Sequence, residues 1–123
     1  MATLTLNNYA AAAVNYTVLQ INGGLAQWAD TAQGTPGGFR TVSSELKRPS
    51  DPSKGVTRVL VKFARPFVNV TTGLVDYTSR CNTELIIPVA ATLAERQELY
   101  AASKNFAAHA FYLAHVKDLE GMY

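Results

Sequence analysis

Seven cations fall between residues 39 and 65 (Arg40, Lys47, Arg48, Lys54, Arg58, Lys62 and Arg65) against two acids, Glu45 and Asp51. The whole chain carries only +2, so this block concentrates the charge. Cations clustered in strand-forming sequence suit a polyanion such as nucleic acid. An ordinary solvated hairpin would carry the same residues, and charge alone leaves both readings open.

Catalytic groupings do not assemble. His109 and His115 are six residues apart, so they do not share a helix face as an i, i+4 zinc pair would; they read as surface or interface histidines. Asp76 and Glu84 share a strand face at a separation of roughly 26 Å, too far for an acid/base pair. No nucleophile elbow, phosphate loop or dinucleotide fingerprint is present. The single Cys81 excludes an internal disulfide. Its strand phase makes it a small buried hydrophobe with no activating base nearby. Asn15-Tyr16-Thr17 and Asn69-Val70-Thr71 match the glycosylation triplet by chance, as strand residues. An enzyme, a metal and a cofactor all find little support.

The 123 residues suit one domain, 1–123, and 48% hydrophobic content argues against disorder. No apolar run approaches the roughly 20 residues of a membrane helix. The N-terminus lacks the basic start and apolar core of a signal peptide.

The elements that must position the cations run β first and α last. Leu4 and Leu6 alternate with threonines as a short strand, and Val14 to Ile21 is a second, closed by Asn22-Gly23-Gly24. The alanines at 10–13 start a helix or make a hairpin turn. Leu25 to Trp28 is another short strand, followed by a loop at Gly34-Thr35-Pro36-Gly37-Gly38. Phe39–Arg48 and Val56–Arg65 are strands joined by a Pro/Ser/Gly loop. Phe67–Thr71 continues as strand before the turn at Thr72-Gly73.

The strand over 75–88 is two-faced. Val75, Tyr77, Cys81, Leu85 and Ile87 share one side, and Asp76, Arg80, Asn82 and Glu84 the other. Pro88 closes it. Val59, Val61 and Phe63 likewise form an apolar row, with Arg58, Leu60 and Lys62 opposite. Thr41, Ser43, Glu45 and Lys47 are polar, with Val42 and Leu46 behind. One basic and amide surface results, and the apolar side needs a cover.

The C-terminal segment can supply it. Thr92 and Glu95 form a capping box. Leu99, Ala102, Phe106, Ala110 and Leu113 follow at helical spacing, widened by Tyr100, Ala107, Phe111 and Ala114. That stripe is too wide for one small sheet and suggests a second subunit, or a bulky single-domain core. Ser103-Lys104-Asn105 marks a bend between two helices, and Gly121 ends the run.

These residues resemble the coat proteins of the small single-stranded RNA bacteriophages. Gly24-Leu25-Ala26-Gln27-Trp28, upstream of Phe39-Arg40, is similar to the family's Gly-Val-Ala-Glu-Trp segment. Asn82-Thr83-Glu84-Leu85-Ile86-Ile87-Pro88 with Ala91-Thr92 is similar to its Asn-x-Glu-Leu-x-Ile-Pro…Ala-Thr segment. Thr92…Glu95-Arg96 and Leu119…Tyr123 also fit. The resemblance covers nearly the whole chain.

It implies an α+β fold: an N-terminal β-hairpin (1–21), a five-stranded antiparallel sheet (25–88) and two dimerising C-terminal α-helices (92–120), interlocked with a second copy. Homodimers would build a quasi-equivalent icosahedral shell of T=3 type, the virion capsid, assembled in the bacterial cytoplasm around phage RNA. The turn at Asn69 to Leu74 would gather at the symmetry axes. The inner face binds an RNA hairpin at the replicase start in well-known members, repressing its translation. Carried over, Lys47, Lys62 and Asn82 match basic and amide contacts, and Ser43 a small hydroxyl in a base pocket. Thr41, Glu45, Arg58 and Leu25 line the same RNA-binding surface. Leu60 replaces a second hydroxyl, and Arg80 an aromatic that stacks on a base; a guanidinium still stacks and binds phosphate. The alternative is a non-viral dimeric nucleic-acid-binding module that forms no shell.

Overall fold

A computed structural model describes residues 3–32 and 36–119. The elements are β1 (Leu4–Asn7), β2 (Ala13–Asn22), β3 (Leu25–Asp30), a 3-10 turn (Pro36–Gly38), β4 (Arg40–Lys47), β5 (Val56–Val68), β6 (Val75–Pro88), α1 (Leu93–Ala107) and α2 (Ala110–Asp118). Each strand lies beside its sequence neighbour, giving one antiparallel sheet in the order β1-β2-β3-β4-β5-β6. The sheet therefore has six strands rather than five. The N-terminal hairpin is continuous with it, because β2 turns through Asn22-Gly23-Gly24 and pairs with β3. Residues 34 and 35 of the expected loop, and the expected stop at Gly121, lie outside the described residues.

The alanine run is a hairpin turn, not a helix. The Asn8 side chain accepts from the backbone N–H groups of Ala10 and Ala12, both at 3.0 Å, while Ala11 takes a left-handed φ of 64°. This local bonding is the route by which asparagine competes with helix formation.

β5 continues through Pro66, where the sequence pattern suggests an interruption. β4 ends its pairing opposite Ala64, so beyond that point β5 has β6 alone as neighbour. Proline is tolerated where one side of a strand is open. The strand then stops at Val68 instead of reaching Thr71. Asn69 is not a strand residue: its Oδ1 accepts from the N–H groups of Thr71 and Thr72, and its Nδ2 donates to Asp76. Gly73 closes the turn with φ of 74°.

In the β4–β5 loop, Asp51 accepts from the Ser53 backbone N–H and hydroxyl. These bonds, the backbone one first, hold the Asp51 carboxyl below its usual value. Their contribution to stability is present above the unfolded carboxyl value and is lost as pH falls through the folded one.

The helices deviate from expectation at their joint. Ser103-Lys104-Asn105 lies inside α1, and the break falls at Ala108–His109. His109 causes it, since its Nδ1 accepts from the Phe111 N–H at 3.1 Å and caps α2. Edge-on contacts of His109 with Phe111 and of Phe106 with Tyr112 brace the joint. At the start of α1, Thr92 Oγ1 accepts from the Glu95 N–H at 3.3 Å. The return bond from the Glu95 carboxylate is not formed among the described residues.

Among the described residues, the helices do not supply the cover expected over the sheet. Neither helix packs as a layer on the sheet, and neither buries a residue. The buried apolar residues are Ala26, Ala29 and Val42 on β3 and β4. Cys81 holds its place on the apolar side but is exposed, not buried, because among the described residues neither helix packs over the sheet. The surface totals 9158 Å², against roughly 6,500 Å² for a compact monomer of this mass.

One close approach ties β3 to β4. The Leu46 N–H donates to the Gly24 carbonyl at 2.9 Å, and a Cβ on Gly24 would run into the Leu46 carbonyl. Backbone does not yield as a flexible side chain would. We expect Gly24→Ala to cost about 1–3 kcal/mol, read as a lower urea midpoint; an unchanged midpoint would show that the approach relaxes freely.

Candidate nucleic-acid interface

Residues opposite one another in an antiparallel ladder share a face, so the registers assemble the surface directly. Gln27, Ser43, Lys62 and Asn82 form one row across β3 to β6. Ala29, Thr41, Ala64 and Arg80 form the row on one side of it. On the other side lie Leu25, Glu45, Leu60 and Glu84, and beyond them Lys47, Arg58 and Ile86. All ten residues singled out from the sequence (Leu25, Thr41, Ser43, Glu45, Lys47, Arg58, Leu60, Lys62, Arg80 and Asn82) come to this one face.

The cations are not equivalent. Arg58 is ion-paired with Glu84, and Lys47 lies 3.9 Å from Glu45. Both pairs are partly exposed, so each contributes about 0–1 kcal/mol, and a phosphate can compete for either cation. Lys62 and Arg80 have no acidic partner among the described residues. They stand in adjacent rows, on β5 and β6, and form the least compensated positive charge on the face.

Two amides were not foreseen. Gln27 alternates in phase with Leu25, so strand periodicity could have found it. Gln20 could not be found that way. Val18 pairs with Trp28 and Gln20 with Gln27, which leaves Leu19 as an extra, unpaired residue. That bulge resets the phase of β2 and turns Gln20 to the polar side.

A cavity of about 530 Å³ lies at the opposite face, lined by Leu46, Val59, Ile87 and Pro88 with Arg48 and Arg96. It belongs to the apolar side and contributes nothing to the polar rows.

A family model described as Levivirus coat protein matches residues 1–123. The chain belongs to the levivirus coat protein family. This coat protein is thus a structural component of the capsid, with its place in the virion. No curated protein matches the chain. Among solved structures it is similar to the virus-like particle of bacteriophage NT-214, at 21% identity, covering 99% of this chain and 96% of that one, with a TM-score of 0.84. It is similar to the virus-like particle of Beihai levi-like virus 21 at 21% identity, 100% and 98% coverage and a TM-score of 0.87. The capsid protein of bacteriophage GA shares 13% identity over 98% and 96% of the chains, with a TM-score of 0.74. At these identities the likeness is one of fold: an antiparallel sheet followed by two C-terminal helices.

The ion pairing on the polar face of this coat protein is testable without any particular RNA. Glu84→Gln releases Arg58 and removes a negative charge. Elution from heparin should shift to higher salt than for the parent chain; an unshifted or earlier elution would mean that Glu84 does not restrain Arg58.

Proposed function

We propose that this coat protein forms a homodimer that closes into an icosahedral shell around single-stranded phage RNA, with the polar sheet face turned inward against the genome. The asymmetry of the sheet carries this reading. One face gathers cations, amides and hydroxyls, and the other is apolar and bare of its own helices.

A second copy is the natural cover for the apolar face. The chain exposes about 2,700 Å² more than a compact monomer of its mass. Two such chains would together bury roughly 5,400 Å², the upper end of obligate dimer interfaces, which run about 2,000–5,000 Å² counted over both partners. Helices that pass over the partner's sheet would bury the stripe of Leu99, Phe106, Phe111 and Leu113, all exposed in the single chain.

On the inner face, Lys62 and Arg80 hold phosphates, joined by Lys47 and Arg58 when RNA competes for their ion pairs. Ser43 and Asn82 present hydrogen-bonding groups to the exposed bases of a stem-loop, which can be read where a closed A-form groove cannot. Leu60 offers no such bond, so the pocket beside it discriminates by shape. Binding of an operator hairpin would repress translation of the message that contains it. The role is structural and non-catalytic, and assembly takes place in the bacterial cytoplasm.

Expression of the chain alone in bacteria should yield uniform hollow spheres containing nucleic acid, visible by electron microscopy and by their absorbance. A dimer that never forms particles, under varied salt and added RNA, would sink the shell reading. Lys62→Ala or Lys47→Ala should each weaken RNA binding and lower the salt slope by about one, with the dimer mass unchanged. Affinity and slope equal to the parent's would remove the polar face from the RNA contact.

A further inference from the structure

We propose that Gln20 and Gln27 are base-reading residues, whose amides contact the edge of an unpaired nucleobase lying across β2 and β3, in the same row as the phosphate-holding Lys62 two strands away. The inference rests on the RNA-binding reading above and assigns the half of the surface that reading leaves without a role.

The register supplies the placement. With Gln20 opposite Gln27, the central polar row extends over five strands as Gln20, Gln27, Ser43, Lys62 and Asn82. At the usual strand spacing it spans roughly 19 Å. Cationic Lys62 stands next to the Asn82 end, and the two glutamine amides occupy the other end. A bulge is costly to a ladder and here has a specific consequence: without Leu19 as the extra residue, Gln20 would point to the apolar side.

The amides are also free to act. Gln20 is exposed and Gln27 half-buried. No side-chain hydrogen bond among the described residues engages either one, whereas the neighbouring Thr17 hydroxyl is committed to the Ala29 carbonyl at 3.2 Å. A primary amide presents a donor and an acceptor side by side, the pattern that matches a base edge. An ammonium is a point charge that suits phosphate. Across one row, Lys62 thus holds the backbone while hydrogen-bonding groups on both sides of it are placed to tell bases apart, Asn82 on β6 and Gln27 and Gln20 on β3 and β2.

The test compares the full-length protein with Gln27→Met, Gln20→Met and Lys62→Ala. Affinity is measured for oligoadenylate, oligocytidylate and oligouridylate of equal length, at several salt concentrations. The parent should favour one base. Gln27→Met should narrow that preference about fivefold or more while leaving the salt slope unchanged, and Gln20→Met should act in the same direction. Lys62→Ala should weaken all three RNAs together and reduce the slope. An intact base preference in both glutamine variants, with Lys62→Ala still weakened, overturns this assignment and leaves the RNA-binding reading standing. A parent that binds all three RNAs equally also overturns it. No effect from any variant, Lys62→Ala included, removes the RNA-binding reading itself. If a methionine variant fails to form the parent's oligomer, Gln27→Asn, which keeps the amide but withdraws it by one methylene, is read by the same criteria.

Discussion

The cross-strand register from β3 to β6 is the constraint on which both faces of this coat protein depend. Side chains alternate at a period of two, so one register places Lys62 between Ser43 and Asn82 and Phe63 between Val42 and Cys81. A slip of one residue in β5 would exchange the two sets and spoil both faces together. The register is held at its turns. The Gly24–Leu46 approach pins β3 to β4, and the side chain of Asn69 staples the β5–β6 tip. Asp51 orders the β4–β5 loop through Ser53. None of these groups lies in the polar rows, yet each fixes which residues do.

A sheet with one wet face and one apolar face demands a second layer, and the chain carries one it does not use on itself. α1 begins five residues after β6 ends and does not settle on the sheet of its own subunit. The consequence reaches beyond the interface. With few residues buried in the single chain, the free energy that orders the sheet and the free energy that would bring two copies together in the proposed dimer come largely from the same apolar surface. Cys81 illustrates the point: it is on the side a core would occupy, and the second copy of the proposed dimer would make that side a core.

Much of this was legible in the sequence because period-two alternation is strong in β4, β5 and β6. The polar and apolar partition of Thr41 to Lys47, Arg58 to Phe63 and Tyr77 to Ile87 follows from phase alone, and the registers keep it. Val75, expected on the apolar side with Tyr77, is instead opposite Val68 on the other side, because Asp76 is an extra residue in β6. The failures have local causes. Pro66 signals a break only if both edges of β5 are paired, and whether β4 reaches that far is a property of the sheet, not of the strand. The helix joint falls at His109 because an imidazole nitrogen accepts from Phe111, whereas Ser103-Lys104-Asn105 is simply tolerated within α1. The alanines at 10–13 have high helix propensity, which two hydrogen bonds to Asn8 override. The resemblance implies five strands over 25–88 apart from the hairpin; the structure has four there, β3 to β6, and β1 and β2 continue the same sheet to make six.

The bulge at Leu19 marks the limit of what phase can reveal. Periodicity read through β2 from Thr17 places Gln20 with Val18 and Trp28, on the apolar side. The structure places it with Gln27, because one unpaired residue turns the strand by half a period. A bulge leaves no compositional signature in this stretch, where Val18, Leu19, Gln20 and Ile21 fit an uninterrupted strand equally well. Its effect is asymmetric. The strand keeps Val14, Tyr16 and Val18 facing the apolar side up to the bulge, and recovers Ile21 there after it. The extra residue therefore costs the apolar face little, and it gives the polar face an amide that regular alternation would have turned away.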